Sequence, residues 1–139
     1  MLDYPYMEVP TRDGVDFKPI IQLRLPSINR SLDVLVDTGA QTIVLPVAWA
    51  NRLGVTLTPG QREISGIIAG ESTPYSVGEI QLELRRAAQI VQWVATVAFI
   101  DNPKRSLFGY LGGLEFFHAH FLGPERRLLL DPQSNLPLP

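Results

Sequence analysis

Short segments in which apolar and polar residues alternate run along most of the chain, and glycine or proline separates them. Residues 18–25 (KPIIQLRL) alternate after the proline, and residues 31–36 (SLDVLV) alternate before they become fully apolar. An alternation with a period of two is typical of a strand with one buried face. Other short segments that are apolar or β-branched predict further strands at 42–46, 62–68, 76–84, 90–100 and 128–130.

The segment 113–121 (GLEFFHAHF) has a different pattern. Leu114, Phe117 and Phe121 stand at helical spacing, which predicts a helix near the carboxyl end. Residues 46–53 have room for a helical turn or two. The predicted fold class is therefore all-β, a closed β domain with one short helix near the C-terminus.

The 139 residues match the size of one ordinary domain. We place this domain at residues 18–131, after an N-terminal extension at 1–17 and before a proline-rich C-terminal tail at 132–139. The 12 prolines and 11 glycines are spread along the chain and are not gathered in one linker. We therefore expect a single domain and a single site.

The composition excludes several kinds of chemistry. The chain has no cysteine, which excludes disulfides, thiolate zinc sites and cysteine nucleophiles. Its 12 basic and 14 acidic residues nearly balance, so we expect no nucleic acid partner. No apolar segment approaches the roughly 20 residues of a membrane helix, and residues 1–10 lack the pattern of a signal peptide. We expect a cytoplasmic protein that does not bind a membrane.

The most informative segment is residues 34–46 (VLVDTGAQTIVLP). Asp37 follows three apolar strand residues, and Thr38 and Gly39 come next, so a carboxylate stands where a buried strand must turn. A buried carboxylate is costly unless hydrogen-bond donors surround it. Asp, Thr and Gly are also common turn residues. From these residues alone, Asp37 is either a reactive carboxylate or the cap of a turn.

The flanking residues add a resemblance to a known family. Residues 34–46 resemble the active-site loop of aspartic proteases of the retropepsin type, in which hydrophobic residues precede Asp-Thr-Gly-Ala and a hydrophobic strand follows. Residues 65–70 (SGIIAG) resemble the tip of the flap hairpin that closes over substrate, although Ala69 stands where a glycine is more usual. Residues 109–116 (GYLGGLEF) resemble the second signature, two hydrophobic residues and a glycine. The resemblance implies a single-lobe acid-protease fold with a flap.

The resemblance also implies roles for individual residues. Asp37 would be catalytic, Thr38 would hydrogen-bond across to the opposite loop, and Gly39 would donate to the carboxylate. Contacts with the polypeptide substrate would come from the residue after this motif and from the flap, namely Ala40, Gly66, Ile67, Ile68, Ala69 and Gly70. The chain has one Asp-Thr-Gly, so the second carboxylate of the pair would be Asp37 of another copy in a homodimer.

No cofactor and no metal are expected. His118 and His120 are two residues apart, and on the predicted helix they would point to different faces, with no third ligand near in sequence. The alternative function is a catalytically silent retropepsin-like domain that binds peptides or builds an assembly. The proline-rich tail departs from the short pairing strand of retroviral forms, whereas the intact Asp-Thr-Gly favours the enzyme.

Overall fold

Strands dominate the computed structural model, which describes residues 1–60, 64–65 and 72–139. An α-helix, α1, spans Val47–Leu53, and 3₁₀ turns span Pro26–Ile28 and Leu114–Phe116. The strands are β1 (Leu2–Pro5), β2 (Met7–Thr11), β3 (Gly14–Lys18), β4 (Ile20–Leu25), β5 (Arg30–Val36), β6 (Val44–Pro46), β7 (Thr58–Pro59), β8 (Ile64–Ser65), β9 (Ser72–Thr73), β10 (Ser76–Arg86), β11 (Gln89–Ile100), β12 (Leu107–Phe108), β13 (Phe117–Leu122) and β14 (Arg127–Pro132).

A closed barrel forms the centre of the molecule. Within the described residues, its strands are hydrogen-bonded in the order β11, β6, β12, β5, β4, β10, β7, and β10 also pairs with β11 to close the ring. The long hairpin of β10 and β11 runs in unbroken antiparallel register from Ser76 opposite Phe99 to Arg86 opposite Gln89. Closure leaves few unpaired strand edges in this part of the fold.

Apolar residues at alternate strand positions fill the barrel. On β10, Leu82 and Leu84 are fully buried, and on β11 Trp93 is fully buried as well. The ring of Trp93 meets Phe117 edge to face at 5.4 Å between centroids and Phe108 at 6.2 Å. Edge-to-face geometry is favourable for aromatic pairs, so this cluster ties the barrel to the strands near the carboxyl end.

A second sheet joins the two ends of the chain. β1 pairs with β14, and β14 pairs with β13. Leu2 lies opposite Leu130, and both side chains are fully buried in the common core. Residues 1–17, which we predicted to be an extension, thus supply β1 to this sheet and all of the β2–β3 hairpin except Lys18. The proposed boundaries at 17/18 and 131/132 remain a prediction.

Glu83 is a charged residue in the barrel wall, with only 2% of its surface exposed. Its carboxylate accepts hydrogen bonds from Arg24 Nε at 2.8 Å and Gln92 Nε2 at 2.5 Å, and Arg85 Nη2 lies 3.1 Å away. Burial raises the pKa of Glu83, but the bond from Gln92 and the two arginine charges together lower it below its ordinary value. The ionised form is therefore the stable one in this wall.

The structure confirms the all-β class and most of the predicted strands, but it corrects the predicted helix at 113–121. The short helix near the C-terminus is a single 3₁₀ turn, Leu114–Phe116, and Phe117–Leu122 is a strand. Of the strand predicted at 62–68, only Ile64–Ser65 lies within the described residues. No helix in residues 1–60, 64–65 and 72–139 is long and apolar enough to cross a membrane.

Candidate active site

Asp37 stands where β5 leaves the barrel. Its N–H donates to the Phe108 carbonyl at 3.1 Å, which fixes the strand end against β12. The Gly39 N–H donates to Asp37 Oδ1 at 2.8 Å, and the Ala40 N–H donates to the Asp37 carbonyl at 3.2 Å. This tight turn gives the carboxylate one backbone donor. Asp37 is half-buried, whereas Thr38 and Gly39 are exposed.

The second motif, residues 109–113, lies directly beside this turn. The Tyr110 N–H donates to the Ala40 carbonyl at 3.0 Å, and the Leu111 N–H donates to the Gln41 carbonyl at 2.9 Å. In return, the Ile43 N–H donates to the Leu111 carbonyl at 3.2 Å. The two motifs, separated by about seventy residues, therefore form one backbone ladder.

Glycine is required where the two motifs touch. A Cβ on Gly109 would overlap the Thr42 carbonyl oxygen and lie 2.7 Å from the Ala40 carbonyl oxygen. Such distances are far shorter than any ordinary carbon contact. Only a residue without a side chain lets the second motif approach the Asp37 turn this closely.

Two residues that we did not predict to belong to the site, Trp93 and Glu115, form hydrogen bonds with the backbone of the second motif. Trp93 Nε1 donates to the Gly112 carbonyl at 2.8 Å, and the Gly112 N–H donates to Glu115 Oε1 at 2.7 Å. Gly112 has a φ of +79°, in the left-handed region that favours glycine. A buried tryptophan needs an acceptor for its N–H, but the sequence does not indicate which carbonyl supplies it.

A cavity of about 1130 Å³ opens beside the two motifs. Its described walls include residues 38–42 of the Asp37 turn, residues 94–98 of β11 and residues 110–112. Tyr110 and Leu111 are 56% and 51% exposed and form an adjacent apolar pair on this wall. Pro137, Leu138 and Pro139 of the C-terminal tail line the same space.

The predicted site residues fall into two groups. Asp37, Thr38, Gly39 and Ala40 are brought together in one turn, beside the cavity. The predicted flap residues Gly66, Ile67, Ile68, Ala69 and Gly70 lie outside the described residues. The strands that flank them, β8 and β9, pair antiparallel with Ile64 opposite Thr73. The flap and the assigned roles remain predictions.

The structure also corrects the reason given against a metal at His118 and His120. Both residues lie on β13 and are exposed. Because side chains two apart on a strand share one face, the two histidines do not point to different faces. Asp131 pairs with His118 across the sheet. No group of three or more metal-binding side chains occurs among the described residues.

The fold and the Asp37 turn define the class of protein. A family model described as aspartyl protease matches residues 27–112, more than half of the chain. The chain belongs to this family. The matched range contains the Asp37 turn and residues 109–112 of the second motif. A comparison with curated protein sequences finds no match.

Two solved structures are similar to the chain. A retropepsin-like aspartic protease from Rickettsia conorii is 19% identical with a TM-score of 0.52, over 93% of this chain and 99% of its own length. The EIAV protease in complex with the inhibitor HBY-793 is 24% identical with a TM-score of 0.49, over 73% of this chain and 88% of its own. The Rickettsia structure agrees with the single-lobe, retropepsin-like fold expected from the sequence.

Proposed function

We propose that the chain is an aspartic endopeptidase that acts as a homodimer and hydrolyses polypeptides. The observation that carries the proposal is the position of Asp37, a half-buried carboxylate on a turn whose next two residues are exposed. Membership of the aspartyl protease family supports it. The sequence has a single Asp-Thr-Gly, so two copies are needed to supply two carboxyls.

The reaction uses the two Asp37 carboxyls as a base and an acid. The ionised carboxylate takes a proton from a water, whose oxygen attacks the peptide carbonyl carbon, while the protonated carboxyl gives its proton to the carbonyl oxygen. Collapse of the tetrahedral intermediate breaks the C–N bond, and the amine leaves with the proton that the water gave up. Two like charges this close cannot both be ionised, so the pair retains the proton that the reaction needs.

Neighbouring residues take the supporting roles. Gly39 donates its N–H to Asp37 Oδ1 at 2.8 Å, which orients the carboxylate. The exposed Thr38 is available to hydrogen-bond the opposite copy's turn. Ala40 and the predicted flap residues would hold the substrate backbone in the cavity beside Tyr110 and Leu111.

The proposal is tested with Asp37→Asn. We expect turnover of an unbiased peptide library at acidic to neutral pH to fall by about a thousandfold or more, because the amide can act neither as base nor as acid. Circular dichroism and the unfolding midpoint should match the wild type. Asp33→Asn is the matched control, since Asp33 is an exposed acid on the same strand, and it should cut normally.

Appreciable peptidase activity in the Asp37→Asn chain would end the assignment. A wild-type chain that binds peptides of the library but cuts none of them would instead favour the silent binding domain.

A further inference from the structure

The C-terminal tail returns to the cavity after β14. The Gln133 N–H donates to the Phe116 carbonyl at 2.9 Å, and the Leu136 side chain packs against the common core. The Pro137 carbonyl then accepts a hydrogen bond from the Val94 N–H at 2.9 Å. From this point residues 137–139 line the same cavity as the Asp37 turn.

The tail covers a strand edge that is otherwise unpaired. One edge of β11 pairs with β10 from Gln89 to Phe99, and within the described part of the chain the other edge pairs with β6 at residues 98–100. Where the structure describes the chain, no strand pairs with this second edge at residues 94–96. A strand edge without a strand partner is a template for an extended peptide, and the Pro137 carbonyl occupies one of its donors, the Val94 N–H.

The tail is weakly held on this edge. Proline has no N–H, so Pro137 and Pro139 donate no hydrogen bond and cannot extend a ladder along β11. Leu138 is 78% exposed, so its side chain adds little apolar burial. Among the described residues, the attachment beyond Leu136 therefore has one backbone hydrogen bond, which a second peptide could replace.

We propose that the edge of β11 at residues 94–96 is a peptide-binding strip of the cleft, and that residues 137–139 occupy it in competition with an extended, apolar stretch of the polypeptide substrate. The identity of the competitor as substrate rests on the proposed function. The tail itself indicates the chemistry that fits: a carbonyl to accept from Val94, and apolar side chains beside Ala95 and Leu111, which line the same cavity.

The binding test uses a fluorescent peptide with the sequence of residues 134–139 (SNLPLP) and two forms of the Asp37→Asn chain. One form is complete and the other lacks residues 137–139 but keeps Leu136 and its core packing. We expect the shortened chain to bind the peptide at least about tenfold more tightly, because a tethered segment competes at an effective concentration near the millimolar range. Equal affinity for both chains, or no binding to either, would overturn the proposal.

Hydrogen exchange at the Val94 amide gives a second readout that needs no activity. The amide should be protected in the complete chain, exchange faster after the deletion, and regain protection when the peptide is added. Leu138→Asp keeps the chain length and adds a carboxylate to the cavity that Glu79 and Glu115 also line, so like-charge repulsion should release the tail. Val15→Asp, at a residue 51% exposed on β3, is the matched control and should leave Val94 protected. Unchanged protection in both the deletion and Leu138→Asp would contradict the proposal.

An activity measurement separates this inference from the proposed function. In the chain that retains Asp37, deletion of residues 137–139 should lower KM for library peptides several-fold and leave kcat unchanged, as expected when a competitor is removed. If neither chain cuts, the proposed function fails, and the peptide-binding and exchange results still decide the role of the tail. An unchanged KM in a chain that does cut would count against the tail alone.

Discussion

Two carboxylates of this protein have opposite surroundings. Glu83 is enclosed by Arg24, Arg85 and Gln92, so its hydrogen-bonding capacity is used within the fold. Among the described residues, the Asp37 carboxylate accepts one backbone hydrogen bond, from Gly39, and the residues that follow it, from Thr38 to Thr42, line the cavity. A carboxylate with unused acceptor sites can bind a water or a second carboxyl, which is what the proposed chemistry requires.

Glu83→Gln should destabilise the protein in a pH-dependent way. The folded state lowers the pKa of Glu83 below its ordinary value of 4.5, so the unfolded chain binds more protons in the acid range. The stabilisation by ionised Glu83 is therefore present above pH 4.5 and is lost as pH falls through the folded-state pKa. We expect a loss of about 2 kcal/mol in unfolding free energy at neutral pH, since hydrogen bonds to a charged group disappear.

Urea unfolding at neutral and acidic pH measures this effect. The difference in unfolding free energy between the wild type and Glu83→Gln should become smaller as the pH is lowered. Glu79→Gln is the control, because Glu79 is exposed on the same strand and its loss should change little at any pH. A gap that stays constant from neutral to strongly acidic pH would show that the charge of Glu83 does not stabilise the barrel wall.

Tyr4→Phe should cost nothing at neutral pH. The buried Tyr4 hydroxyl has no hydrogen-bond partner among the residues that the structure describes, and its removal should leave stability unchanged or raise it by up to about 1 kcal/mol. Burial raises the pKa of Tyr4 to about 12, against a smaller lowering by Arg86. The wild type should therefore lose stability as pH rises from its ordinary pKa of 10.0 towards 12, because only the unfolded chain ionises easily there.

The Tyr4→Phe variant should lack this loss of stability at alkaline pH. Thermal unfolding from neutral pH to above pH 10 compares the wild type with the Phe variant. Leu2→Ala, which empties a fully buried site on the same strand, is the control and should lower the unfolding free energy by about 2–5 kcal/mol at every pH. A large loss in Tyr4→Phe at neutral pH would mean that the hydroxyl has a partner.

At the level of elements, the meeting of the two motifs depends on Gly109. Gly109→Ala would push a methyl group into the Thr42 carbonyl and separate the second motif from the Asp37 turn. We expect a loss of about 2 kcal/mol or more in stability from overpacking and lost hydrogen bonds. Peptidase activity per folded chain should also fall, since the Asp37 turn loses its support.

Gly123→Ala is the matched control, because a Cβ there meets no atom of the described residues within 4 Å. Chemical denaturation measures stability in both variants, and turnover is measured on chains shown to be folded. Wild-type stability in Gly109→Ala would mean that the two motifs can separate without cost.

The Asp37 turn could be predicted because its residues are contiguous in sequence. The helix predicted at 113–121 was wrong because its apolar spacing fits two kinds of element. Phe117 and Phe121 are four residues apart, a separation that satisfies both the helical period and the strand period of two. Pairing with β14 decided between them, because it buries Phe117 against Trp93. Such long-range pairing is not visible in a local pattern.

The strands at the amino end were missed although local signals existed. Leu2 and Tyr4 alternate with polar or turn-forming neighbours, and Asp13–Gly14 is a common hairpin turn. The segment is short and interrupted by prolines, which weakens any strand prediction. The position of β1 in the sheet depends on its pairing with β14, which is distant in sequence.

For the whole molecule, the proposed homodimer makes activity depend on concentration. One chain carries one Asp37, so specific activity per chain should rise with protein concentration and then level off as dimers form. Excess Asp37→Asn chains should suppress the wild type, because each mixed dimer has one disabled carboxyl. Sedimentation at the same concentrations measures the dimer fraction.

Excess Asp33→Asn chains provide the control, since they retain Asp37 and should not suppress activity. Activity that stays flat from monomeric to dimeric conditions, without suppression by the Asp37→Asn chain, would mean that a single chain is competent.

The sheet that joins β1 to β14 also bears on how the chain is made. The Asp3–Arg127 ion pair at its edge joins residues 124 apart, and β1 finds its strand partner only when β14 is available. On a ribosome that adds about 5–20 residues per second, Leu2 and Tyr4 would wait roughly ten seconds for that partner. During this interval the apolar side chains of Leu2 and Tyr4 are exposed, open to chaperones or to a neighbouring nascent chain.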